Sequence, residues 1–421
     1  MRILVISNFY PPHFIGGYDL ACREVVDALA ARGHEVYVLT STYGIGRRQR
    51  AGNVWRWLTT DLGWNIEEFH RYLIRVMRRE LADQRAFGLM CKKLRPHVVY
   101  AWNLRHITLS LCLRAQRMGL PVCYFVFDDS FCDLEKDPAC SFLDHQPRRF
   151  FRRLCWEAAS PLLRRAGVLP ESSFVDVSHV QFASHYLKNA ALRTGKPVAG
   201  AKVIYYGVDV NRYRFKMGGA QSGRGRLLYV GQIAPHKGVH TAVKALDILV
   251  RGRRIDTVSL TIVGGSIFPD YEAELHRLVA RLGLERKVDF VGQISREELA
   301  SLYANYDVLL FPSVWEEPFG IVPLEAMASG VPVVGTATGG AMEVLEHEVN
   351  ALVFPRGDEE ACTNCIQRLL EDDGLYERIR VGGRLTVEER FRFERTIDEL
   401  EQDLGEIVER RSAREPVGRP Q

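Results

Sequence analysis

Eleven short apolar runs recur along this chain, and most are continuous rather than alternating. In the first half they are Arg2–Ser7, Glu35–Leu39, Val98–Ala101, Val122–Phe127 and Lys202–Tyr205. In the second half they are Leu227–Val230, Ser259–Val263, Lys287–Phe290, Val308–Phe311, Val331–Val334 and Ala351–Val353. A strand with one wet face alternates apolar and polar residues. A continuous β-branched run belongs to a strand covered on both faces, as in parallel sheets flanked by helices. Helix-like segments separate the runs, as crossover connections require. The chain is therefore read as α/β with parallel sheets.

At 421 residues the chain is long enough for two or three domains. Its 47% apolar and 26% charged content is that of a globular protein that can bury sizeable cores, which excludes a disordered tail or a small disulfide scaffold. The longest apolar stretch, Leu120 to Phe127, falls far short of the roughly 18 residues of a membrane span. Met1-Arg2 runs directly into the strand-like Ile3-Leu4-Val5-Ile6, so no secretory signal is expected.

Punctuation is clear in the second half. Ser295-Arg-Glu-Glu298 is a capping box opening a helix towards Tyr306. Gly283 and Gly330 read as helix terminators. Between the halves, Met217-Gly-Gly-Ala-Gln-Ser-Gly-Arg-Gly225 has no apolar period. The expected organisation is a first Rossmann-like domain over 1–216, a linker at 217–225 and a second Rossmann-like domain over 226–390. A helix over 391–411 is expected to cross back to the first domain, and the polar tail 412–421 to be disordered.

Charge divides the chain unevenly. Residues 1–216 carry a net +13 and residues 217–421 a net −9. Such asymmetry suggests two units with different partners. The nine cysteines show one C-x-x-C pair, Cys362 and Cys365, inside a helical pattern with no second pair or ligand histidines. Buried thiols in a reducing compartment are the expectation.

The richest segment is Phe311-Pro-Ser-Val-Trp-Glu-Glu317-Pro-Phe-Gly320-Ile-Val-Pro-Leu-Glu325-Ala-Met-Ala-Ser-Gly330. It leaves the carboxyl end of a strand, where open α/β sheets bind ligands. Glu317 lies in the loop, Gly320 allows close backbone approach, and Glu325 falls on the second turn of the next helix. Free N–H groups at that helix start suit an anion such as phosphate. Carboxylates on either side of the phosphates can each accept hydrogen bonds from vicinal hydroxyls. The pattern fits a sugar–diphosphate–nucleoside. Read alone, it is equally an ordinary strand–loop–helix with solvated glutamates. A second segment, Leu228-Tyr-Val-Gly231-Gln-Ile-Ala-Pro-His-Lys237-Gly238, follows the first strand of the same half. Its lysine supplies a point charge for a diphosphate. The two loops on one sheet edge favour the ligand reading.

Together these residues resemble the retaining glycosyltransferases of the GT4 type, which have the GT-B fold. The resemblance rests on Glu317-x7-Glu325, Gly231…Lys237-Gly238 and Thr338-Gly-Gly340…Glu343. Tyr10-Pro-Pro-His-Phe-Ile-Gly16-Gly17, Ala31-Arg-Gly33-His34-Glu-Val, Val203-Ile-Tyr-Tyr-Gly207-Val-Asp209 and Phe290-Val-Gly292 extend it over almost the whole chain. It implies two Rossmann-like domains facing a cleft. It also implies that Lys237 binds the donor diphosphate, Glu325 the ribose hydroxyls and Glu317 the transferred sugar. The amides from Phe319 through Gly320 and Ile321 to Val322 would contact sugar and phosphate. Val291 to Gln293 would lie near the base, and the Gly16-Gly17 loop would close over the acceptor side.

Two departures stand out. Gln232 occupies a place where the family usually has arginine; it can donate a hydrogen bond but brings no charge, so either Lys237 carries the diphosphate charge alone or another cation shares it. The histidines usual near Trp102-Asn103 and Phe127-Asp128-Asp129 are missing. Asp128, Asp129, Asn103 and His106 are the acceptor-side candidates, with Asp128 and Asp129 also candidates for catalysis. His106 reads first as a helix-surface histidine, and the aspartates read equally as a loop or cap.

No Asp-x-Asp follows a strand in the expected place, and Asp133-Leu-Glu135 is the nearest spacing. Lys237 and the helix start would then stabilise the leaving diphosphate, with no metal and no cofactor beyond the nucleotide-sugar donor. Retention of configuration is implied by the resemblance alone.

Arginine and aromatic residues interleave at Arg47-Arg48…Arg50, Trp55, Trp57, Trp64, Phe69, Arg71, Tyr72, Leu73, Arg75, Arg78 and Arg79, and again over Arg148–Trp156 and Arg164-Arg165. That composition suits an interfacial helix on an anionic membrane, or equally a solvated helix packing its aromatics inward. The expected location is the cytoplasm, either free or peripheral to the inner face of the membrane. The expected partners are a nucleotide sugar with UDP or GDP, and a saccharide or lipid-linked acceptor of cell-surface polysaccharide or glycolipid synthesis. No nucleic-acid motif is present. A dehydrogenase would show G-x-G-x-x-G after Ile6, which is absent. Another nucleotide-sugar enzyme of the same fold, a synthase or epimerase, and a non-enzymatic nucleotide-binding Rossmann protein stay open.

Overall fold

The structure is a computed structural model. It describes residues 1–59, 73–105, 107, 109–136, 153, 157, 158, 161, 175–215 and 223–414. The chain divides into two compact units. Unit 1 comprises Met1–Ala183, Leu187–Ile204 and Ile397–Gln421, and unit 2 comprises Ser184–Tyr186 and Tyr205–Thr396.

Unit 1 carries an eight-stranded sheet. In chain order its elements are β1 (Arg2–Ser7), α1 (Gly17–Ala31), β2 (Glu35–Ser41), β3 (Gln49–Ala51), β4 (Val54–Leu58), α2 (Leu73–Leu94), β5 (Val98–Ala101), α3 (Ser110–Arg117), β6 (Val122–Val126), β7 (Val180–Phe182), α4 (His185–Arg193) and β8 (Lys202–Val203). The spatial order is β3-β4-β2-β1-β5-β6-β7-β8. Every neighbouring pair is parallel except the β3–β4 hairpin. Ile3 to Ile6 of β1 are fully buried, as a continuous apolar run at the sheet centre should be.

Unit 2 is built from β9 (Arg226–Val230), α5 (Val239–Asp247), β10 (Ser259–Val263), α6 (Pro269–Arg281), β11 (Val288–Gly292), α7 (Arg296–Leu302), β12 (Val308–Phe311), α8 (Ile321–Ala328), β13 (Val333–Gly335), β14 (Ala351–Val353), α9 (Glu359–Glu371) and α10 (Asp373–Arg390). Its six strands are all parallel, in the order β11-β10-β9-β12-β13-β14. Strand order reverses between β9 and β12. Their carboxyl ends therefore flank a topological switch point, where a doubly wound sheet opens a crevice for ligands.

A last helix, α11 (Phe393–Arg414), runs three residues beyond the expected start of the tail. Its residues from Ile397 cluster with unit 1. There Glu401 takes Arg32 and His34 at 2.7 Å each, and Asp403 takes Lys202 at 2.7 Å. Asp403 also accepts from Gln181 of β7 at 2.7 Å. The compact units part at Ile204 and not at the glycine-rich stretch 217–225 whose composition suggests a linker. Of that stretch only 223–225 are described. Residues after Ile204 join unit 2 through the Val208 amide on the Phe391 carbonyl at 2.9 Å and the Gly207 amide on Thr396 Oγ1 at 2.8 Å.

Several strand ends differ from the sequence reading. β2 reaches Ser41, β6 stops at Val126 and β8 is two residues long. β13 starts at Val333 rather than Val331, and β11 runs to Gly292. Three strands, β3, β4 and β7, have no counterpart among the apolar runs. β3 and β7 are three residues each, too short for a pattern, and β7 centres on a buried glutamine. β4 lay inside the arginine–aromatic stretch. Trp55 and Arg56 are not on a helix face. Trp55 is buried, and the Arg56 guanidinium donates to the Pro11 carbonyl at 2.6 Å. The remainder of that stretch at 60–72, and nearly all of 148–165, lies outside the described residues.

Other local expectations hold. Ser295 Oγ accepts from the Glu298 amide while Glu298 accepts from the Ser295 amide. Gly283 and Gly330 adopt φ of 61° and 71° just past helix ends. Cys362 and Cys365 sit on α9, free and buried. Among the described residues no helix is long and apolar enough to cross a membrane.

Candidate functional site

Two loops leave the switch point of unit 2. The first follows β9 and ends in a short turn, Pro235–Lys237, before α5. The second follows β12 and ends at α8. They are tied together by the Val314 amide donating to the His236 carbonyl at 3.0 Å. This brings Lys237 and Glu317, 80 positions apart, into direct contact. The ammonium lies 2.8 Å from Glu317 Oε1 and 2.9 Å from Oε2. Ser313 also donates to Glu317 Oε1. Glu317 is only 3% exposed, so the ion pair compensates a carboxylate that burial alone would penalise. An ammonium has three donors. With two of them on Glu317, it keeps one for a further anion.

Aromatic rings wall this pair. The His236 ring lies 4.7 Å from the Trp315 ring, and the Lys237 ammonium 5.1 Å from the same indole. Burial, and then the Lys237 charge, pull the His236 pKa below its usual value, so the imidazole is neutral at pH 7. Lys237 is thus the cation of this loop. Gln232 contributes its carbonyl to Tyr229 OH at 2.8 Å.

The Glu317 loop is supported from behind by the segment after β13. Thr338 Oγ1 donates to the Trp315 carbonyl at 2.7 Å, and the Gly340 amide to the Glu317 carbonyl at 2.5 Å. A Cβ on Gly340 would sit 2.1 Å from the Pro318 carbonyl oxygen. The glycines of Thr338-Gly-Gly340 are thus required by close backbone contact. Glu343 accepts from the amides of His185 and Tyr186 at 2.9 and 2.7 Å and from Tyr205 OH at 2.8 Å. Tyr205 stacks 5.8 Å from Phe319, which is buried.

Gly320, with φ of 115°, precedes α8. The amides of Ile321 and Val322 are in its first turn, where no intrahelical acceptor exists. Glu325 is on the second turn and 4% exposed. Its Oε2 takes Tyr303 OH at 2.8 Å and its Oε1 takes the Arg296 guanidinium at 3.3 Å. Gln293 and Val291 lie exposed at the end of β11, on the same sheet edge. Gly231, Gln232, Lys237, Gln293, Glu317 and Phe319 to Glu325 thus all lie at the carboxyl end of the unit 2 strands. Arg296, Tyr303 and Ser313 belong with them. Nothing in the spacing of Arg296 and Tyr303 relative to Glu325 pointed there, because the contact is made by the fold.

The other candidates belong to unit 1. Gly16 precedes α1, and Asp19 Oδ2 accepts from the amides of Ile15 and Gly16 at 3.1 and 3.2 Å. Asp19 was missed, although an acid three residues after a helix-start glycine is a capping signal. Burial pushes the Asp19 carboxyl up, and it does the same to Asp128. Asp128 takes the Ser130 amide at 3.0 Å, and Asn103 Oδ1 takes the Arg105 amide at 3.1 Å. Asp129 is exposed, 3.9 Å from Arg105. Asp19, Asn103 and Asp128 share the carboxyl edge of the unit 1 sheet. Gly17 opens α1. His106 and the side chains of Asp133 and Glu135 lie outside the described residues. Among the described residues no three histidine, cysteine or acidic side chains gather as a metal site.

Comparison with known proteins assigns the chain. Residues 15–212 match the family described as Glycosyltransferase Family 4, and residues 213–386 match Glycosyl transferases group 1. The chain belongs to the family 4 glycosyltransferases. It is 26% identical to the uncharacterized glycosyltransferase MJ1607 of Methanocaldococcus jannaschii, over 93% of this chain and 94% of that one. It is 28% identical to a glycogen synthase of Mycobacterium tuberculosis, over 90% and 88%. Among solved structures, Anabaena Alr3699/HepE in complex with UDP aligns with a TM-score of 0.69 at 22% identity, over 96% of this chain and all of that one. That likeness is one of fold. The fold is GT-B, with two Rossmann-like parallel-sheet units, and the chain is a transferase of this family.

Proposed function

We propose that this glycosyltransferase transfers a hexose, with retention of configuration, from a UDP- or GDP-linked donor to a saccharide or lipid-linked acceptor. The observation that carries the donor half is the Lys237–Glu317 pair, 2.8 Å apart beside the start of α8 with Glu325 one turn further on. In this reading Lys237 turns its remaining donor to the diphosphate, and the amides of Ile321 and Val322 add theirs. Glu317 meets hydroxyls of the transferred sugar, and Glu325 meets the ribose. Charge on the leaving diphosphate is then met by Lys237 and the helix start, without a metal or a further cofactor. Asn103, Asp128 and Asp129 serve the acceptor in unit 1, with the Gly16-Gly17 loop beside them.

The test is thermal unfolding against a panel of UDP and GDP sugars. A ligand at a hundred times its Kd stabilises by about 2.7 kcal/mol, which shifts the melting of a unit this size by several degrees. One responding donor identifies the nucleotide and sugar, and transfer from it should persist in EDTA. A flat response across the panel sinks the donor reading.

The basic surplus of the first half suits an anionic membrane that presents the acceptor, which would place the enzyme at the cytoplasmic face in cell-surface polysaccharide or glycolipid synthesis. Each surface cation adds about 1 kcal/mol of attraction to such a bilayer. Vesicles containing phosphatidylglycerol should therefore float the protein at low salt, and neutral vesicles should not. Equal behaviour with both would remove this part.

A further inference from the structure

Glu325 is nearly buried, yet it faces two donors seven residues apart, one opening α7 and one in the turn that follows it. Arg296 opens α7, fixed in place by the Ser295–Glu298 capping box. Tyr303 follows the end of α7, fully buried, with its ring 6.1 Å from that of Tyr213. Residues seven apart fall on the same side of a helix two turns apart. α7 and the turn after it therefore present one donor from each end to Glu325. The Arg296 guanidinium is 3.3 Å from Oε1, and Tyr303 OH is 2.8 Å from Oε2. The Arg296 side chain is itself only 13% exposed. Burial, and then the charge of Glu325, raise the Tyr303 phenol well above its usual pKa, so it stays protonated and donates.

We propose that Arg296 and Tyr303 are positioning residues that set the ribose selectivity of the donor site. They hold the Glu325 carboxylate, one donor on each oxygen, so that its free lone pairs accept from the vicinal hydroxyls of a ribonucleoside diphosphate. A carboxylate offers about four acceptor positions, and two are taken here. The two that remain match a diol. The arginine also compensates a charge that would be costly to bury alone. A 2′-deoxyribonucleotide removes one of the two hydroxyls and leaves a buried acceptor without its donor. Discrimination against such an analogue is strong when the site is rigid, because a buried polar group is then left unpaired. If either oxygen is released, the carboxylate can turn and the selectivity falls. This proposal rests on the donor reading above, and it adds residues that contact no substrate themselves.

The experiment measures Kd by calorimetry for UDP against 2′-deoxy-UDP and for GDP against 2′-deoxy-GDP, in the full chain. The nucleotide that binds should favour its ribo form by about tenfold to a hundredfold, the range of one hydrogen bond to a charged group. Glu325→Gln should reduce that ratio severalfold. Tyr303→Phe and Arg296→Met should reduce it as well, and Arg296→Lys should restore part of it. Tyr303→Phe keeps the buried ring, so it remains informative should Arg296→Met fail to fold. If Glu325→Gln changes the ratio while the partner variants weaken both forms equally, the positioning role is overturned and the ribose contact stands. If Glu325→Gln leaves the ratio unchanged, the ribose reading falls and takes this proposal with it. Absence of binding by either nucleotide overturns both.

Discussion

Lys237→Ala is expected to lower kcat/KM for the responding donor by at least a hundredfold. Removing one preorganised donor to a developing negative charge typically costs 10²–10³ in rate, and Lys237 is the cation of its loop. Where the family usually adds an arginine, this chain has Gln232, which brings a hydrogen bond and no charge. The variant also leaves Glu317, 3% exposed, without its counter-charge. Breaking a buried pair by deleting one partner destabilises by roughly 3–5 kcal/mol, less where one partner reaches solvent, as Lys237 does at 24% side-chain exposure. Stability and catalysis are therefore separable. The double variant Lys237→Ala, Glu317→Gln removes the stranded charge and should regain much of the lost melting temperature while turnover stays low. Steady-state kinetics with parallel melting curves decide it. Near-normal turnover in Lys237→Ala would remove this residue from the site.

The parallel-sheet architecture was legible because both faces of β1, β5, β9 and β12 are buried. Val308, Leu309 and Leu310 needed no partner from the far sequence to declare themselves. Glu317, Gly320 and Glu325 were legible as one strand–loop–helix, since all three lie within a single connection. Arg296 and Tyr303 were not, because no local pattern distinguishes an arginine that reaches a carboxylate 29 positions on from one that faces water. Asp403 taking Lys202 and Gln181 is the same case across some 200 residues. The arginine–aromatic stretch shows the opposite failure. Trp55 and Arg56 carry the composition of an interfacial helix, but β4 pairs with β2 and turns the tryptophan into the core. Composition alone could not tell an amphipathic helix from a sheet-edge hairpin, because both place bulky rings beside basic side chains.

Gly238→Ala should remove donor binding through the backbone rather than through any lost side chain. Gly238 follows Lys237 at φ of 67°, a left-handed conformation that non-glycine residues adopt at a cost. Strain of that kind alone is about 1–2 kcal/mol. The larger effect is steric. A Cβ there would lie 1.9 Å from the carbonyl oxygen of Pro312, an atom of the loop that carries Glu317. The obstacle is main chain, so no rotamer change relieves it. Either the β9 loop withdraws, pulling Lys237 from Glu317, or the β12 loop moves and breaks the Val314 to His236 hydrogen bond. The combined loss is expected to reach about 3–5 kcal/mol, the upper end for single substitutions. It should appear as a lower melting temperature in the transition that nucleotide sugars raise, since that transition reports unit 2. Gly265→Ala serves as the control. Its added Cβ would come no nearer than 3.8 Å to Gln293 and its φ is not left-handed, so that variant should melt close to the parent. Comparable melting of the Gly238 and Gly265 variants would mean that the two loops are not held in contact at this point, and the ion pair built on that contact would lose its support.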